Sequence, residues 1–278
     1  MDRIERLGLI AGGGQFPLIV AKAAAEKGIS VYAVAHIDET DPGLASVADE
    51  IEWIHLGRMG RLIKFLKKNR VRDAVMAGTI TKTRMFTNVR PDLKALAVLA
   101  AIDHTRDDKI LRAFAGLLEK EGIEVRSSTF MLPELLAPEG YWTRRRPSGS
   151  ETADVRIGWK LAKEIGRLDI GQCVVLRDGS VLAVEAIDGT DVTIRRGGML
   201  GNGKTVVVKV SKPDQDMRFD VPALGPKTIE TMHEVGASVL VVEAGGTVVF
   251  DRKEMIGLAD KYGIAICALT DKTKELWD

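Results

Sequence analysis

Cysteine is scarce in this sequence of 278 residues, and the two present, Cys173 and Cys267, fit neither a zinc-binding nor a redox spacing. The expectation is a pair of reduced core thiols in a cytoplasmic protein. The four histidines, His36, His55, His104 and His233, form no HxxxH or HxH pair, which argues against a histidine-based zinc centre. No GxSxG occurs, so a nucleophile elbow is absent. An excess of one charge is missing too. Forty basic side chains against 39 acidic ones leave a formal net charge of +1, which gives no global electrostatic case for nucleic acid as a partner. Apolar runs such as LKALAVLAAI are too short to span a bilayer, and the glycines at Gly8 and Gly12 to Gly14 come too early for a secretory apolar region.

What is there points to a folded globular protein. Hydrophobic residues make up 45% and charged residues 28%, and the length suits two modest domains, each with its own core. From Leu7 the pattern runs apolar strand, glycine loop, Ala-rich helix from Phe16 to Lys27, a stop at Gly28 and the strand VYAVA, a β-α-β opening. The strand IEWIHL, a basic amphipathic segment from Arg61 to Asn69, the buried strand AVMAG and helices over Leu93 to Ile102 and Asp107 to Glu121 continue the alternation. The predicted fold class is α/β: a Rossmann-like N-terminal domain with a parallel sheet, then a second, mixed α/β domain. Periodicity fails between Leu132 and Ser150, where Pro133, Pro138 and Pro147 sit with GYWTRRRPSGS. The expected division is therefore a first domain over 1–132, a linker over 133–150 and a second domain over 151–278. In the second domain Asp178 and Gly179 predict a hairpin turn, and TVVVKV, ASVLVVEAGG and IAICAL read as strands, with helices from Thr152, Thr228 and Lys253.

Four stretches can carry chemistry. LIAGGGQFP puts Gly12, Gly13 and Gly14 where a strand turns into a helix, a place where backbone amides and the helix dipole can receive phosphate. Pro17 stands at the third glycine position of the dinucleotide fingerprint, which counts against NAD, and a tight turn using glycine for its dihedral freedom is the competing explanation. In AGTITKTR, Gly78, Thr79 and Lys82 can hold a uridine or a phosphate, or simply form a solvated capping loop. Asp107 and Asp108 suit a helix cap, with Asp107 also a candidate for ligand contact. VEAIDGTD offers Glu185, Asp188 and Asp191 around Gly189 and Thr190, which can hold a hard cation or form an ordinary turn and cap. Finally, SKPDQDMRFDVPALGP follows TVVVKV with its Lys209, and mixes Lys212, Asp214, Asp216, Arg218 and Asp220 with Phe219 and Pro222. Charges placed between buried strands must be paired or metal-bound to offset desolvation, and cations for phosphate beside a carboxylate for magnesium satisfy both needs.

Taken together, LGLIAGGGQFP, AGTITKTR, EIGRLDIGQCVVLRDGSVLAVEAIDGTD, KVSKPDQDMRFDVPALGPKTI and VVEAGGTVVFDR resemble the UDP-2,3-diacylglucosamine pyrophosphatase family of the LpxI type. The resemblance implies hydrolysis of UDP-2,3-diacylglucosamine to 2,3-diacylglucosamine 1-phosphate (lipid X) and UMP in lipid A biosynthesis, with magnesium as cofactor and a homodimer as the assembly. It carries the family's key aspartate onto Asp220, as a metal ligand that positions or activates water. Lys209 and Arg218 are then expected to neutralise phosphate, and Glu185, Asp191 and Thr190 to serve the metal or sugar side. The first-domain glycines and Thr79 are expected to face the nucleotide, with Lys82, Asp107, Gly189 and Gln215 as further substrate contacts. Two acyl chains call for an apolar crevice, for which the region between the domains is the natural place. Arg144 to Arg146 suggest peripheral contact with the cytoplasmic face of the inner membrane, against a merely solvated linker. The rival readings are a nicotinamide-dependent oxidoreductase and a non-catalytic binding protein for a lipid or sugar nucleotide.

Overall fold

The computed structural model describes residues 4–80, 89–100, 107–213, 215–218 and 221–273. They fall into two compact units, Met1–Pro133 with Asp216–Asp220, and Glu134–Gln215 with Val221–Asp278.

The first unit is a parallel sheet of five strands in the order β3-β2-β1-β4-β5. Its strands are β1 (Arg6–Ala11), β2 (Ser30–His36), β3 (Glu50–Ile54), β4 (Asp73–Ala77) and β5 (Glu124–Arg126). Each crossover carries the chain back to pair in parallel, so Leu9 stands beside Ala33 on one side and Val75 on the other. The helices are α1 (Phe16–Glu26), α2 (Met59–Lys68), α3 (Leu93–Ala100) and α4 (Asp107–Lys120). Ile10, Val34, Ala74 and Met76 of the sheet pack with Leu62 and Leu66 of α2 and Ala115 and Leu118 of α4. Strand alternation sends Leu9, Ala33 and Val75 to the opposite face.

The second unit is a six-stranded sheet in the order β6-β13-β11-β9-β7-β8. Here β9 (Val206–Lys209), β11 (Val239–Glu243) and β13 (Ala265–Leu269) run parallel, while β6 (Gly140–Tyr141), β7 (Cys173–Arg177) and β8 (Ser180–Val184) pair antiparallel. A two-strand pair joins β10 (Ala223–Leu224) to β12 (Val248–Val249). Val174, Leu176, Val206 and Val208 face Val155, Trp159 and Ala162 of α5 (Gly149–Arg167). The other face, with Cys173, Val175 and Val207, meets α6 (Thr190–Gly201), α7 (Pro226–Glu234) and α8 (Arg252–Tyr262) through Ile194, Ile229, Met232 and Met255. The expected hairpin turn is present. Asp178 and Gly179 both have positive φ, and the buried Asp154 carboxylate accepts their amides at 2.9 and 2.6 Å.

Two features were not anticipated. Residues 133–150, expected as a linker, carry β6, which joins the sheet through β13, and the buried Ala137. The helix α6 was hidden by its glycines. A Cβ on Gly197 would stand 2.5 Å from Val175, and one on Gly198 would stand 2.2 Å from Val235. The residues that lower helix propensity there are the ones that let the helix lie close against the sheet and α7. Among the described residues no helix is long and apolar enough to cross a membrane.

Candidate active site

In parallel sheets of this order, ligands gather beyond the carboxyl ends of the strands where the strand order reverses, which here is between β1 and β4. The structure brings Gly12, Gly13, Gly78 and Thr79 together at that point. Gly12 donates its amide to Ala77 O at 2.8 Å, and Gly13 and Thr79 exchange amide–carbonyl bonds at 2.7 and 3.1 Å. The backbones touch: a Cβ on Gly12 would lie 2.6 Å from Thr79 O, and one on Gly78 would lie 2.5 Å from Gly13 O. Glycine at these positions therefore serves close approach of two chain segments. The Gly12 amide is spent on β4 and the Gly13 amide on Thr79 just beyond it, so the two form no open phosphate cradle, and Gly14 follows with positive φ and open space at its Cβ position. Pro17 closes the same corner, its ring 2.9 Å from where a Gly78 side chain would begin.

A residue that the sequence reading missed stands beside this corner. Glu39, three residues beyond β2, has Oε2 3.5 Å from the position of a Cβ on Gly13. Its loop is fixed from below. The His36 ring, through Nδ1, and the Thr40 hydroxyl both bond to Ala11 O, at 2.9 and 2.7 Å. Burial holds His36 below the ordinary imidazole pKa, so the ring is neutral and Nδ1 is the donor to the carbonyl. An acid shortly after the second strand of a β-α-β unit was the available signal.

In the second unit, Lys209, Glu185, Thr190 and Asp191 surround one point of the sheet. Lys209 ends β9 and pairs across the ladder with Cys173, the first residue of β7. Its side chain belongs to a residue only 5% exposed, and Nζ donates to Ala223 O at 2.9 Å. Among the described residues it has no carboxylate within ion-pair distance, although an ammonium carries three donors. Glu185, also buried, follows β8 and accepts from Thr190 Oγ1 at 2.7 Å and from the Gln172 amide at 3.2 Å. Gly189, with φ 83, is the N-cap of α6, and Asp191 lies in the first turn, where the helix dipole favours a negative charge. The buried Cys173 thiol registers the cluster. Burial raises its pKa most, Glu185 and Asp191 raise it further and Lys209 opposes them. Cys267 is buried as well, and both thiols are free.

The charged loop after β9 is rooted by contacts that the sequence did not disclose. Glu243 at the end of β11 accepts two bonds of 2.6 Å from Lys163 and one of 2.7 Å from the Ser211 amide. Lys212 pairs with Asp169 at 2.7 Å, and its amide donates to Gln215 Oε1 at 2.9 Å. Gln215, expected on the substrate, thus closes a turn, while its buried Nε2 has no acceptor among the described residues. Arg218, expected on phosphate, is held by carboxylates of the first unit. It binds Asp216 through Nε and Nη2, at 3.0 and 2.8 Å, and Glu119 of α4 through Nη1 at 2.7 Å. The Arg218 hydrogen bonds hold the Asp216 carboxyl below its usual range. The Ser128 amide and Ser127 hydroxyl complete the docking by donating to Arg218 O and Met217 O.

Asp220 and Lys82 lie outside the described residues, and Asp107 is placed as the first residue of α4. Among the described residues no three His, Cys, Asp or Glu side chains gather as a metal nest. Glu185 and Asp191 nevertheless suit a hard cation. Both are oxygen donors, each Glu185 oxygen that accepts one hydrogen bond keeps a second lone pair, and magnesium commonly takes one or two carboxylates with phosphate and water completing its shell.

A five-stranded parallel sheet in one unit and a mixed six-stranded sheet with a buried lysine in the other define a two-unit α/β protein. Two family models fix which one. The LpxI N-terminal domain matches residues 6–135 and the LpxI C-terminal domain matches residues 138–267, and the chain belongs to the LpxI family. It is 33% identical over 276 residues to the protein of Caulobacter vibrioides named UDP-2,3-diacylglucosamine pyrophosphatase LpxI, covering 95% of this chain and 97% of that one. Two solved structures show distant likenesses. The biotin carboxylase domain of Hydrogenobacter thermophilus 2-oxoglutarate carboxylase aligns at 16% identity and a TM-score of 0.29, over 65% of this chain and 36% of that one. Pyruvate carboxylase from Rhizobium etli aligns at 13% and 0.30, over 50% of this chain and 14% of that one. The chain spans about a third or less of those proteins, and at such scores the likeness carries no argument.

Proposed function

We propose that this chain is a hydrolase that cleaves the pyrophosphate bond of UDP-2,3-diacylglucosamine, releasing 2,3-diacylglucosamine 1-phosphate and UMP for lipid A biosynthesis. The observation that carries this reading is the likeness to the Caulobacter protein over 97% of its length, the match that links this chain to a named reaction. Water attacks the β-phosphorus, the bond from that phosphorus to the bridging oxygen breaks, and the electron pair leaves with UMP while the water proton passes to a base or to solvent. The diphosphate resists attack because its oxygens are negative, so the protein must offset that charge where it develops and align water with the leaving oxygen.

On the second unit, the buried Lys209 ammonium has donors to spare for a phosphate oxygen, and a cation in a dry site acts more strongly than in water. Thr190, fixed by Glu185, and the α6 N-terminus behind Gly189 face the sugar phosphate side. Asp220, Glu185 and Asp191 would hold magnesium, which when bound supplies further neutralisation of the diphosphate. On the first unit, Gly78 and Thr79 border the uridine, and the Glu39 carboxylate beside Gly13 would accept from ribose hydroxyls, as acids after the second strand do in nucleotide-binding sheets. The family resemblance further supports action in the cytoplasm as a homodimer.

The test is direct. Purified protein with UDP-2,3-diacylglucosamine and magnesium should release UMP, a chelator should stop the release, and isotopically labelled water should leave its oxygen in the lipid phosphate. Absence of UMP would overturn the reading, and label in UMP would overturn the site of attack.

A further inference from the structure

Of the three arginines first considered for membrane contact, Arg144 has an exposed side chain 3.6 Å from Asp260, and the other two are occupied within the second unit. Arg145 grips both Glu151 oxygens at 2.7 and 2.8 Å and Ser238 O at 3.0 Å, and Arg146 bonds Thr143 O and lies 4.2 Å from the Tyr141 ring centre. A different surface, on the first unit, has the required composition. An open groove between α2 and α3 is lined by Lys64, Lys67, Lys68 and Lys94 with Glu121. Glu121 pairs with both Lys67 and Lys94, and Lys68 pairs with Glu50 at 2.9 Å. Lys64 has no ion-pair partner among the described residues. Four lysines against Glu121, Glu50 and Asp92, whose carboxylate takes the Gly60 amide at the groove, leave a surplus of one positive charge on this face.

Beside the lysines, Leu93 and Leu96 of α3 are 85% and 49% exposed, and their spacing puts them on one side of the helix. They are held there. The Asp92 carboxylate accepts the Gly60 amide of α2 at 2.7 Å and the Ala95 amide of α3 at 3.0 Å, and the Arg90 and Asp92 amides donate to Leu56 O and Gly57 O. Water gains nothing from two leucines fixed at the surface beside a crown of lysines, whereas an anionic bilayer takes the leucines at its acyl boundary and the ammonium groups at its headgroups. We propose that the α2–α3 face of the first unit docks on an anionic phospholipid surface, with Leu93 and Leu96 at the interface and Lys64, Lys67, Lys68 and Lys94 on the headgroups. The proposal rests on the reading that the substrate carries two acyl chains, which would reach the protein from such a surface.

Flotation of the whole protein with vesicles of phosphatidylglycerol in phosphatidylcholine, against vesicles of phosphatidylcholine alone, tests it. The wild type should float with the anionic vesicles only, and less so as salt rises. Lys64→Glu with Lys68→Glu should cut partition by at least about tenfold, and Leu93→Ser with Leu96→Ser should weaken it with the thermal melt unchanged. Both variants should release UMP at the wild-type rate from substrate dispersed in detergent micelles. Equal behaviour of the wild type on both vesicle types, or unaltered flotation of both variants, would overturn the proposal. Loss of self-association in the variants without any flotation by the wild type would assign the face to a second copy instead. Failure of the wild type to release UMP would count against the reaction and leave the flotation result standing.

Discussion

Lys209 combines burial with one carbonyl partner, and the catalytic role proposed for it and a purely structural one predict different outcomes of substitution. Exchanging a buried charge for an apolar side chain of similar length is often neutral or stabilising, because the desolvation cost disappears. Lys209→Met should therefore melt no lower than the wild type while turnover falls by roughly a hundredfold or more, the loss seen when a transition-state donor is removed. Asp220→Ala should abolish turnover with the fold intact, and a fully active Asp220→Ala protein would remove that residue from the chemistry. Glu39→Gln tests the nucleotide side. The wild type should prefer UMP over its 2′-deoxy analogue as an inhibitor, and the variant should lose that preference with KM raised about tenfold, in keeping with a lost hydrogen bond to a charged group. His36 sets a pH limit on stability. Its folded pKa lies below the ordinary 6.5 because of burial, so its contribution is present above about 6.5 and is lost as pH falls through the lower folded value. Melting curves of His36→Asn should be flatter across that acid range than those of the wild type.

At the scale of elements, α6 shows how packing can outvote propensity. Gly197→Ala would add a methyl 2.5 Å from Val175, so the helix must move off the sheet, and α6 presents Thr190 and Asp191 to the cluster around Lys209. Overpacking of this kind costs about 1–3 kcal/mol, readable as a lower urea midpoint, and activity should fall with it. The same residues show what the sequence could disclose. The strands around Leu9, Val75, Val207 and Val241 announce themselves because buried parallel strands are continuous apolar runs, and the turn at Asp178 and Gly179 is local chemistry. A helix written RRGGMLG is invisible to propensity because its glycines answer to Val175 and Val235, residues that sequence alone does not place against them. The glycine loop after β1 was found, but its purpose changed. That the Gly12 and Gly13 amides are spent on Ala77 and Thr79 follows from pairing across more than 60 residues. Lys209, Glu185, Thr190 and Asp191 were grouped from the family resemblance, since they lie in separate motifs, and Lys163, Ser211 and Glu243 meet only in the fold.

For the whole molecule, the chain returns from the second unit to the first over Asp216–Asp220 before going back, so the charged loop is part of both histories. Arg218 is where two physical accounts of that loop diverge. If its guanidinium serves phosphate, Arg218→Ala should reduce turnover by a hundredfold or so and leave the first unit as stable as before. The structure instead gives it to Asp216 and Glu119, with its side chain about a third exposed, a setting in which such pairs contribute up to about 1 kcal/mol. The expected outcome of Arg218→Ala is then a modest drop in the melting temperature of the first unit and faster hydrogen exchange at the Ser128 amide, which relies on Arg218 O. The amides of β9 and β11, which are bonded within the other sheet, should exchange at the wild-type rate. Rates read residue by residue decide the matter. Unchanged protection at Ser128 together with a collapse of turnover would move Arg218 back from docking the loop to meeting the substrate.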